Sequence, residues 1–320
     1  MLETTKQERT KQWTTNFIPS QSGRRILITG ANSGIGFETA RELARKGAEI
    51  VLPARSMAKA QDAVDRIRKE IPSASLIPAV LDLASQASVR EFASWFSERY
   101  PGPSIDLLIN NAGVMAIPKR ELTVDGFERQ FATNFLGPFA LTALLYPHVR
   151  RQAGNRIVIV SSSATKWAKL DFSNLQSEHR YSPMAQAYGQ SKLADSLFAL
   201  ELHRRLTRIG SPIIATAAHP GYAITNLQSS GPGNGFSPFR IIGAILKPLL
   251  SQDAPRGALP TLFAAVAPQA VPGNYYGPDG LFELTGYPKT VAIPPRAQDP
   301  RDSDRLWSEA ERLTGVAFRI

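Results

Sequence analysis

Residues 25–36 read R-I-L-I-T-G-A-N-S-G-I-G, and the class of fold can be inferred from them. Positions 25–29 form a continuous run without polar–apolar alternation, which is typical of a strand buried on both faces of a parallel sheet. Glycines 30, 34 and 36 follow, and 37–46 is predicted to be a helix. This order favours a nucleotide-binding turn, because glycines let backbone approach a phosphate and the helix N-terminus offers free N–H groups. The spacing is not G-x-G-x-x-G, and a plain turn is the alternative.

A second predicted strand, 49–54, ends immediately before Arg55. In units of this kind an acidic residue after the second strand binds the ribose 2′-hydroxyl of NAD, whereas an arginine accommodates the 2′-phosphate of NADP. The chain has no Asp or Glu at this point, so Arg55 predicts NADP(H) as the cofactor. An exposed arginine at the start of the next helix is the alternative interpretation.

Strands and helices continue to alternate along the chain. Further strands are predicted at 75–81, 106–109, 156–160, 213–217 and 275–282, and helices at 59–70, 89–100, 188–208 and 302–313. This alternation predicts an α/β fold, a Rossmann-type doubly wound parallel sheet of about seven strands with helices on both faces. Ligands bind at the carboxyl edge of such sheets. Polar or special residues stand at these strand ends: Gly30, Arg55, Asp82, Asn110, Ser162 and Pro220.

Residues 187–192 read A-Y-G-Q-S-K and place a phenol and an ammonium four positions apart on a predicted helix. At that spacing Tyr188 and Lys192 share one face of the helix. A nearby cation stabilises the phenolate, which makes the tyrosine a usable proton donor or acceptor near neutral pH. The pattern also occurs by chance on solvated helices, so it gains weight only from the rest of the chain.

Composition excludes several classes of function. The 320 residues contain no cysteine, which excludes disulfides and thiolate chemistry, and the four histidines form no cluster that predicts a metal site. The net charge of +10 comes from basic residues scattered over predicted helices without a nucleic-acid-binding motif, so no nucleic-acid partner is predicted. The polar N-terminus predicts neither a signal peptide nor a membrane anchor, and a cytoplasmic location is the expectation.

The chain is expected to form a single domain over 24–320, preceded by a polar tail at 1–23. Between 228 and 260 the composition changes to glycine, proline, serine and apolar residues. This segment is too short to hold its own core, so we predict a flap over the substrate at about 228–260. A fixed surface helix packed on the core is the alternative for its apolar part, 239–250.

Six motifs, in order and in context, resemble the short-chain dehydrogenase/reductase family across roughly residues 24 to 285. They are T-G-A-N-S-G-I-G, N-N-A-G at 110–113, Asn134, V-S-S at 160–162, Y-G-Q-S-K and H-P-G-Y-A-I-T at 219–225. The stretches I-V-I-V-S-S-S-A, D-F-S-N-L-Q-S-E and A-Y-G-Q-S-K-L-A-D are similar to the retinol dehydrogenase-like branch. The N-terminal membrane anchor of several such enzymes has no counterpart in this sequence.

The resemblance implies a catalytic tetrad. Tyr188 would exchange a proton with the substrate oxygen, Ser162 would hydrogen-bond that oxygen, Lys192 would assist Tyr188 and bind the nicotinamide ribose, and Asn134 would hold a water in the proton relay. The triple serine leaves Ser163 as a rival to Ser162. The implied NADP(H) contacts are Gly30, Asn32, Ser33, Gly34, Ile35, Gly36, Arg55, Asp82, Leu83, Asn110, Ala112, Gly113, Tyr188, Lys192, Pro220, Gly221 and Thr225.

These features predict an NADP-dependent oxidoreductase, of the carbonyl reductase or alcohol dehydrogenase type, that acts on a hydrophobic ketone, aldehyde or secondary alcohol. The alternative is a catalytically silent NADP-binding sensor or scaffold of the same fold, which the intact tetrad argues against. Members of the family often pair through the helices that carry Asn134 and Tyr188, so a homodimer or homotetramer is implied, although some members are monomers.

Overall fold

A central eight-stranded sheet organises the protein. The computed structural model describes residues 12–223 and 251–320, and its strands lie in the order β3-β2-β1-β4-β5-β6-β7-β8. The bounds are β1 Arg25–Ile28, β2 Glu49–Ala54, β3 Ser75–Val80, β4 Leu107–Asn110, β5 Arg156–Val160, β6 Ile214–Ala218, β7 Tyr275–Pro278 and β8 Pro288–Val291. Strands β1 to β7 are parallel, which confirms the predicted Rossmann-type α/β fold.

The eighth strand was not predicted. β8 pairs antiparallel with β7 at the edge of the sheet, and Lys289 and Thr290 within it are exposed. The predicted strand 275–282 ends at Pro278 and leads into a helical turn, Leu281–Glu283. Strand β8 is short, starts at a proline and has one buried residue, so it lacks the apolar run of the parallel strands.

Helices cover both faces of the sheet. They are α1 Gly34–Arg45, α2 Met57–Glu70, α3 Gln86–Arg99, α4 Gly137–Leu145, α5 Gly189–Arg208, α6 Ala254–Val266 and α7 Pro300–Thr314. Alternate residues of β1 point into different cores: Leu27 packs with the core beneath α3, α4, α5 and α7, and Ile26 with the core beneath α1, α2 and α6. Both cores therefore hold the strands in place from opposite sides, as the continuous apolar runs require.

Residues 12–23 pack on the domain, which differs from the predicted polar tail. Trp13 and Ile18 are buried in the core beneath α1 and α6, and the Trp13 ring meets Phe263 edge-on at a centroid distance of 5.3 Å. The side chain of Gln21 is also buried. The apolar residues of this segment are too few and too widely spaced to show a period, so the sequence pattern did not reveal the contact.

The predicted flap is only partly within the described residues. Its last part, 254–260, belongs to α6, and Gly257, Ala258 and Leu259 are buried against the core, so these residues are not part of a flap. Positions 228–250 lie outside the described residues. In the part of the chain that the structure describes, no helix is both long and apolar enough to span a bilayer.

Candidate active site

The turn after β1 and the loop after β4 are joined at the carboxyl edge of the sheet. The Thr29 hydroxyl accepts hydrogen bonds from the backbone N–H groups of Asn111 and Ala112, both at 3.0 Å. The Asn111 side chain donates in return to the Thr29 carbonyl oxygen at 2.9 Å. Strand order reverses between β1 and β4, and this is the place where ligands bind in doubly wound sheets.

The glycines of the turn are required by close approach. Gly30 has φ +68°, and a Cβ atom there would lie 2.8 Å from the Ala112 Cα atom. A Cβ atom at Gly36 would lie 2.3 Å from the side-chain nitrogen of Asn111 and 2.4 Å from the Gly30 carbonyl oxygen. Helix α1 starts at Gly34, and the Ser33 side chain does not cap it. The turn therefore offers uncapped N–H groups beside a close-packed backbone, which fits the phosphates of a dinucleotide.

The remaining residues of the predicted nucleotide site follow β2 and β3. Arg55 is exposed, and among the described residues its guanidinium forms no ion pair or hydrogen bond. The Asp82 carboxylate accepts a hydrogen bond from the Ala84 backbone N–H at 3.0 Å, and Leu83 is buried beside Gly137. The Arg55 guanidinium is therefore available to bind a ligand, whereas the Asp82 carboxylate is already hydrogen-bonded within its own loop.

The side chain of Asn110, predicted to contact the ribose, is tied to α4. Its amide nitrogen donates to the Thr142 hydroxyl on α4 at 2.9 Å, and the residue is buried. The Asn110 side-chain oxygen is buried and has no hydrogen-bond partner in the described residues. The next residues of the loop, Ala112 and Gly113, are half-buried at the surface of the site.

Asn134 joins the β4 loop to the helix that carries Tyr188. Its side-chain oxygen accepts from the Val114 N–H at 2.7 Å, and its nitrogen donates to the Val114 carbonyl and the Ser191 hydroxyl, both at 2.9 Å. Both side-chain N–H groups are thus engaged within the protein. A water in the predicted relay would have to use the Asn134 backbone, which lies in a π-helical turn, Ala132–Leu136.

The three serines after β5 have different surroundings. Ser161 is buried, and its hydroxyl bonds to the Lys192 carbonyl oxygen and the Ser196 hydroxyl at 2.8 and 2.9 Å. Ser162 is half-buried, and its hydroxyl oxygen accepts from the Ala164 N–H at 3.2 Å. The proton of the Ser162 hydroxyl has no acceptor within residues 12–223 and 251–320, so it is available to a ligand. Ser163 begins the following 3₁₀ helix, Ser163–Lys166.

Tyr188 and Lys192 lie at the start of α5. Tyr188 ends a π-helical turn, Pro183–Tyr188, and its hydroxyl has no hydrogen-bond partner in the described parts of the chain. The Lys192 ammonium donates to the Val160 carbonyl oxygen at 3.0 Å and lies beside Gly113, where a Cβ atom would be 3.5 Å from it. The fold therefore brings the tyrosine, the lysine and the β4 loop to one place.

A buried histidine connects the loops on the far side of the site. His219 Nδ1 accepts from the Gly221 N–H at 3.2 Å, so Nε2 carries the proton and donates to the Glu283 carboxylate at 3.0 Å. The Lys166 ammonium reaches the same carboxylate at 2.9 Å. Burial lowers the pKa of His219, although Glu283 opposes this, and the ring is neutral. The H-P-G-Y motif does not by itself indicate this cluster.

The loop after β6 is held in place by residues near α6. The Gln252 side chain donates to the Pro220 carbonyl oxygen at 2.7 Å and accepts from the Gly286 N–H at 3.0 Å. Gly221 has φ +66°, and a Cβ atom there would lie 2.3 Å from the Leu284 carbonyl oxygen. Thr225, predicted to contact the nicotinamide, lies outside the described residues.

Comparison with known proteins agrees with this geometry. The family model of the short chain dehydrogenases matches residues 24–232. The chain belongs to the short-chain dehydrogenases. Human retinol dehydrogenase 13 is 41% identical to this short-chain dehydrogenase over 298 residues, which cover 92% of the chain and 85% of the relative. Mouse polyprenol dehydrogenase is 40% identical over 307 residues, covering 93% and 86%. The resemblance to the retinol dehydrogenase-like branch is thereby confirmed.

Solved structures show the same architecture. An uncharacterized protein from Mycobacterium paratuberculosis shares 40% identity with this short-chain dehydrogenase and superposes with a TM-score of 0.78, covering 97% of this chain and 100% of the other. The Pseudomonas aeruginosa RhlG/NADP active-site complex shares 25% identity with a TM-score of 0.63, covering 85% and 100%. The first comparison supports the fold, and the second is with a protein whose structure was solved with NADP.

Proposed function

We propose that this short-chain dehydrogenase uses NADP(H) to interconvert a hydrophobic alcohol and its carbonyl compound, with Tyr188 as general acid and base. The observation that carries the proposal is the position of Tyr188. Its hydroxyl is unpartnered among the described residues, on the same helix as the Lys192 ammonium. The Lys192 ammonium lies beside Gly113 and donates to the Val160 carbonyl oxygen at the end of β5.

Each residue has a defined part in the reaction. When bound, NADPH supplies the hydride. Negative charge then develops on the substrate oxygen, and donors already in place stabilise it. The Tyr188 hydroxyl donates its proton to that oxygen, and the Ser162 hydroxyl, whose proton is free, donates a hydrogen bond to it. The Lys192 ammonium stabilises the phenolate that remains.

The choice of NADP over NAD rests on Arg55. The arginine follows β2, where a nucleotide 2′-phosphate is bound in sheets of this kind, and its guanidinium is exposed and unpaired within the described residues. No Asp or Glu occupies positions 52–58, where a carboxylate would favour the free 2′-hydroxyl of NAD. A cell that keeps NADP mostly reduced would run the reaction towards the alcohol.

The substrate class is a long apolar alcohol or its aldehyde. Two relatives of about 40% identity are a retinol and a polyprenol dehydrogenase, whose names give isoprenoid alcohols as substrates. Large apolar side chains are partly exposed next to the site: Trp167 packs against Gly189, directly after Tyr188, and Tyr222 follows Gly221. These side chains offer apolar surface to a chain that leaves the catalytic residues.

The test is turnover by purified protein. Wild-type enzyme is expected to consume NADPH with all-trans retinal or a long-chain enal, and to produce NADPH from NADP and the corresponding alcohol. Tyr188→Phe should bind NADPH with unchanged affinity and lose at least about 10³-fold in kcat, because only the ionisable hydroxyl is removed. Lys192→Ala should lose both NADPH affinity and turnover.

Two results would contradict the proposal. Substantial turnover by folded Tyr188→Phe would remove the tyrosine from its role. NADPH binding by wild-type protein without turnover of any alcohol or carbonyl compound would favour the catalytically silent sensor of the same fold. Tyr181→Phe serves as the control, because this tyrosine hydroxyl donates to the Ile117 carbonyl oxygen at 2.6 Å and is separate from Lys192.

A further inference from the structure

A buried carboxylate accompanies the lysine of the site. The Asp195 side chain lies one helical turn beyond Lys192 on α5, and its Oδ2 atom is 2.9 Å from the Lys192 ammonium. The side chains are 2% and 6% exposed, so this ion pair is shielded from water. The other carboxylate oxygen, Oδ1, is buried and has no hydrogen-bond partner. Lys192 is therefore the sole hydrogen-bond partner of this carboxylate in the described residues.

Asp195 decides the charge of the lysine. Burial by itself lowers the pKa of Lys192, because a charged ammonium loses its hydration. The Asp195 carboxylate, with a smaller contribution from Tyr188, outweighs that effect, and the pKa of Lys192 lies above its usual value. Burial in turn raises the pKa of Asp195, with the ammonium opposing it. Neither charge would be stable alone at this depth, because a buried ion without a partner is strongly destabilising.

Within residues 12–223 and 251–320, the only other ionisable group that acts on this pair is the Tyr188 phenol. Lys192 is influenced by Asp195 and Tyr188, and Asp195 by Lys192. The groups that the neighbouring elements contribute are neutral: the Val160 carbonyl from β5, the paired hydroxyls of Ser161 and Ser196, and the Asn134 amide near Gly113. Two of the three ammonium protons are used by Val160 and Asp195, which leaves a single proton for the site.

We propose that Asp195 is a positioning residue that keeps Lys192 protonated and fixes its ammonium between the end of β5 and Gly113. The catalytic consequence rests on the proposed function, because it assumes that Lys192 must be charged to assist Tyr188 and to bind the cofactor. The ion pair itself is a property of the protein without ligand. The residue types also suggest the pairing, since an acid three positions after the lysine interrupts an otherwise small and apolar run, L-A-D-S-L-F-A-L.

The first experiment uses protein without cofactor. The protonation of Lys192 is followed by NMR of lysine labelled at Cε and Nζ, with the signal assigned by its loss in Lys192→Met. Wild-type Lys192 should remain charged to the highest pH at which the protein is folded. In Asp195→Asn its titration midpoint should fall by at least about one pH unit, because burial then acts unopposed.

The matched control is Glu201→Gln. This carboxylate is on the same helix, is 5% exposed and pairs with Arg204 and Arg205, away from the site. It should leave the Lys192 midpoint unchanged. An unchanged midpoint in Asp195→Asn, or an equal shift in Glu201→Gln, would overturn the proposal.

The second experiment follows NADPH affinity and turnover against pH. In Asp195→Asn the Kd for NADPH should rise by about tenfold for each pH unit above the lowered Lys192 midpoint, while the wild-type curve stays flat over that interval. The alkaline limb of kcat should move to lower pH in step with the NMR midpoint, and activity should return towards wild type at acidic pH. A uniform loss at every pH would indicate damage to the fold and overturn the assignment.

Folding provides a third, independent readout. If Asp195→Asn alone does not fold, Lys192→Met/Asp195→Asn should, because no unpaired charge remains in the core. Failure of both variants to fold would also overturn the proposal. The two proposals fail separately: a wild-type protein without turnover leaves the NMR result intact, whereas an unshifted midpoint in an active enzyme removes only the role of Asp195.

Discussion

Single residues at this site divide into those that meet a ligand and those that hold the protein in shape. Asn110 and Asn134 use their side-chain amides on Thr142, Val114 and Ser191, so they fix the loop after β4. Arg55 and the Tyr188 hydroxyl are the opposite case, because both are unpartnered within the described residues. A functional group that the fold leaves without a partner is available to a ligand.

Arg55 is expected to determine which cofactor is bound. Arg55→Ala should weaken NADPH binding by about 1.5–3 kcal/mol, which is the range for a hydrogen bond to a charged group, and leave NADH binding nearly unchanged. Arg208→Ala is the control, since this arginine is exposed at the far end of α5 and removes the same charge. The measurement is the Kd of both cofactors by fluorescence titration. Equal affinity of wild-type protein for NADPH and NADH would show that Arg55 points into solvent.

Individual elements meet at the site through loops that the sequence pattern did not connect. The turn Leu281–Glu283 carries two non-glycine residues in the left-handed region, Phe282 at φ +53° and Glu283 at φ +61°. Such conformations are strained and persist where the surroundings fix them. Here the Glu283 carboxylate accepts hydrogen bonds from His219 after β6 and from Lys166 after β5. The turn therefore ties together the two loops that border the serine and the β6 end.

Glu283→Gln tests this connection. Hydrogen bonds from His219 and Lys166, and the charge of Lys166, outweigh burial and hold the pKa of Glu283 at about 2, against an ordinary value of 4.5. A carboxyl whose pKa is lowered in the folded protein stabilises the fold at pH values above its ordinary pKa. This contribution is lost as the pH falls through the pKa that the group has in the folded protein. We expect the free energy of unfolding of the wild type to exceed that of Glu283→Gln by about 1–2 kcal/mol at pH 7, after allowance for solvent screening.

The difference should shrink as the pH is lowered from about 4.5 towards 2, when the wild-type carboxyl becomes protonated. Urea unfolding at a series of pH values measures it. Glu178→Gln is the control, because that carboxylate is exposed and its ion pair with Arg120 is long, at 3.9 Å. A difference between wild type and Glu283→Gln that does not vary with pH would contradict the ion-pair origin.

Elements with a strong pattern could be predicted closely from the sequence. Strands β2 and β5 have the predicted bounds, because an apolar run between helices has few other interpretations. Helix α6 was missed, since Pro255, Gly257 and Pro260 gave its sequence the composition of a loop. Proline is tolerated in the first turn of a helix, and Pro260 lies where α6 is buried by tertiary contacts that override local preference.

The site could be predicted as far as its motifs reach. Tyr188, Lys192 and the glycine turn stand at a strand end or helix starts that the alternation had already placed, and their joint role in a site stays a prediction. Asp195, His219 and Glu283 were not predicted as a group. His219 and Lys166 lie 64 and 117 positions before Glu283, and spacing in the sequence does not reveal which distant loops will touch. The Lys192–Asp195 pair, in contrast, lies within one helical turn.

The segment that precedes β1 packs against α6. Trp13 is buried against Phe263, which packs in turn on Tyr276 of β7 at a ring distance of 5.0 Å. The segment thereby covers the core on one face of the sheet at the side of α1 and α6. Without the tryptophan, apolar surface of both helices would face water. Each Å² of apolar surface exposed in this way costs about 25 cal/mol of folding free energy.

Trp13→Ala should accordingly destabilise the entire domain. Replacing a buried tryptophan by alanine typically lowers the free energy of unfolding by about 3–5 kcal/mol, through lost burial and the cavity that remains. Phe17→Ala is the matched control, because the Phe17 side chain lies four positions away in the same segment but is 46% exposed. Urea unfolding followed by circular dichroism measures both variants. The two should keep the same slope against urea while their midpoints separate. If Trp13→Ala unfolds at the wild-type midpoint, or no earlier than Phe17→Ala, the segment contributes nothing to the core and behaves as the polar tail that its composition suggested.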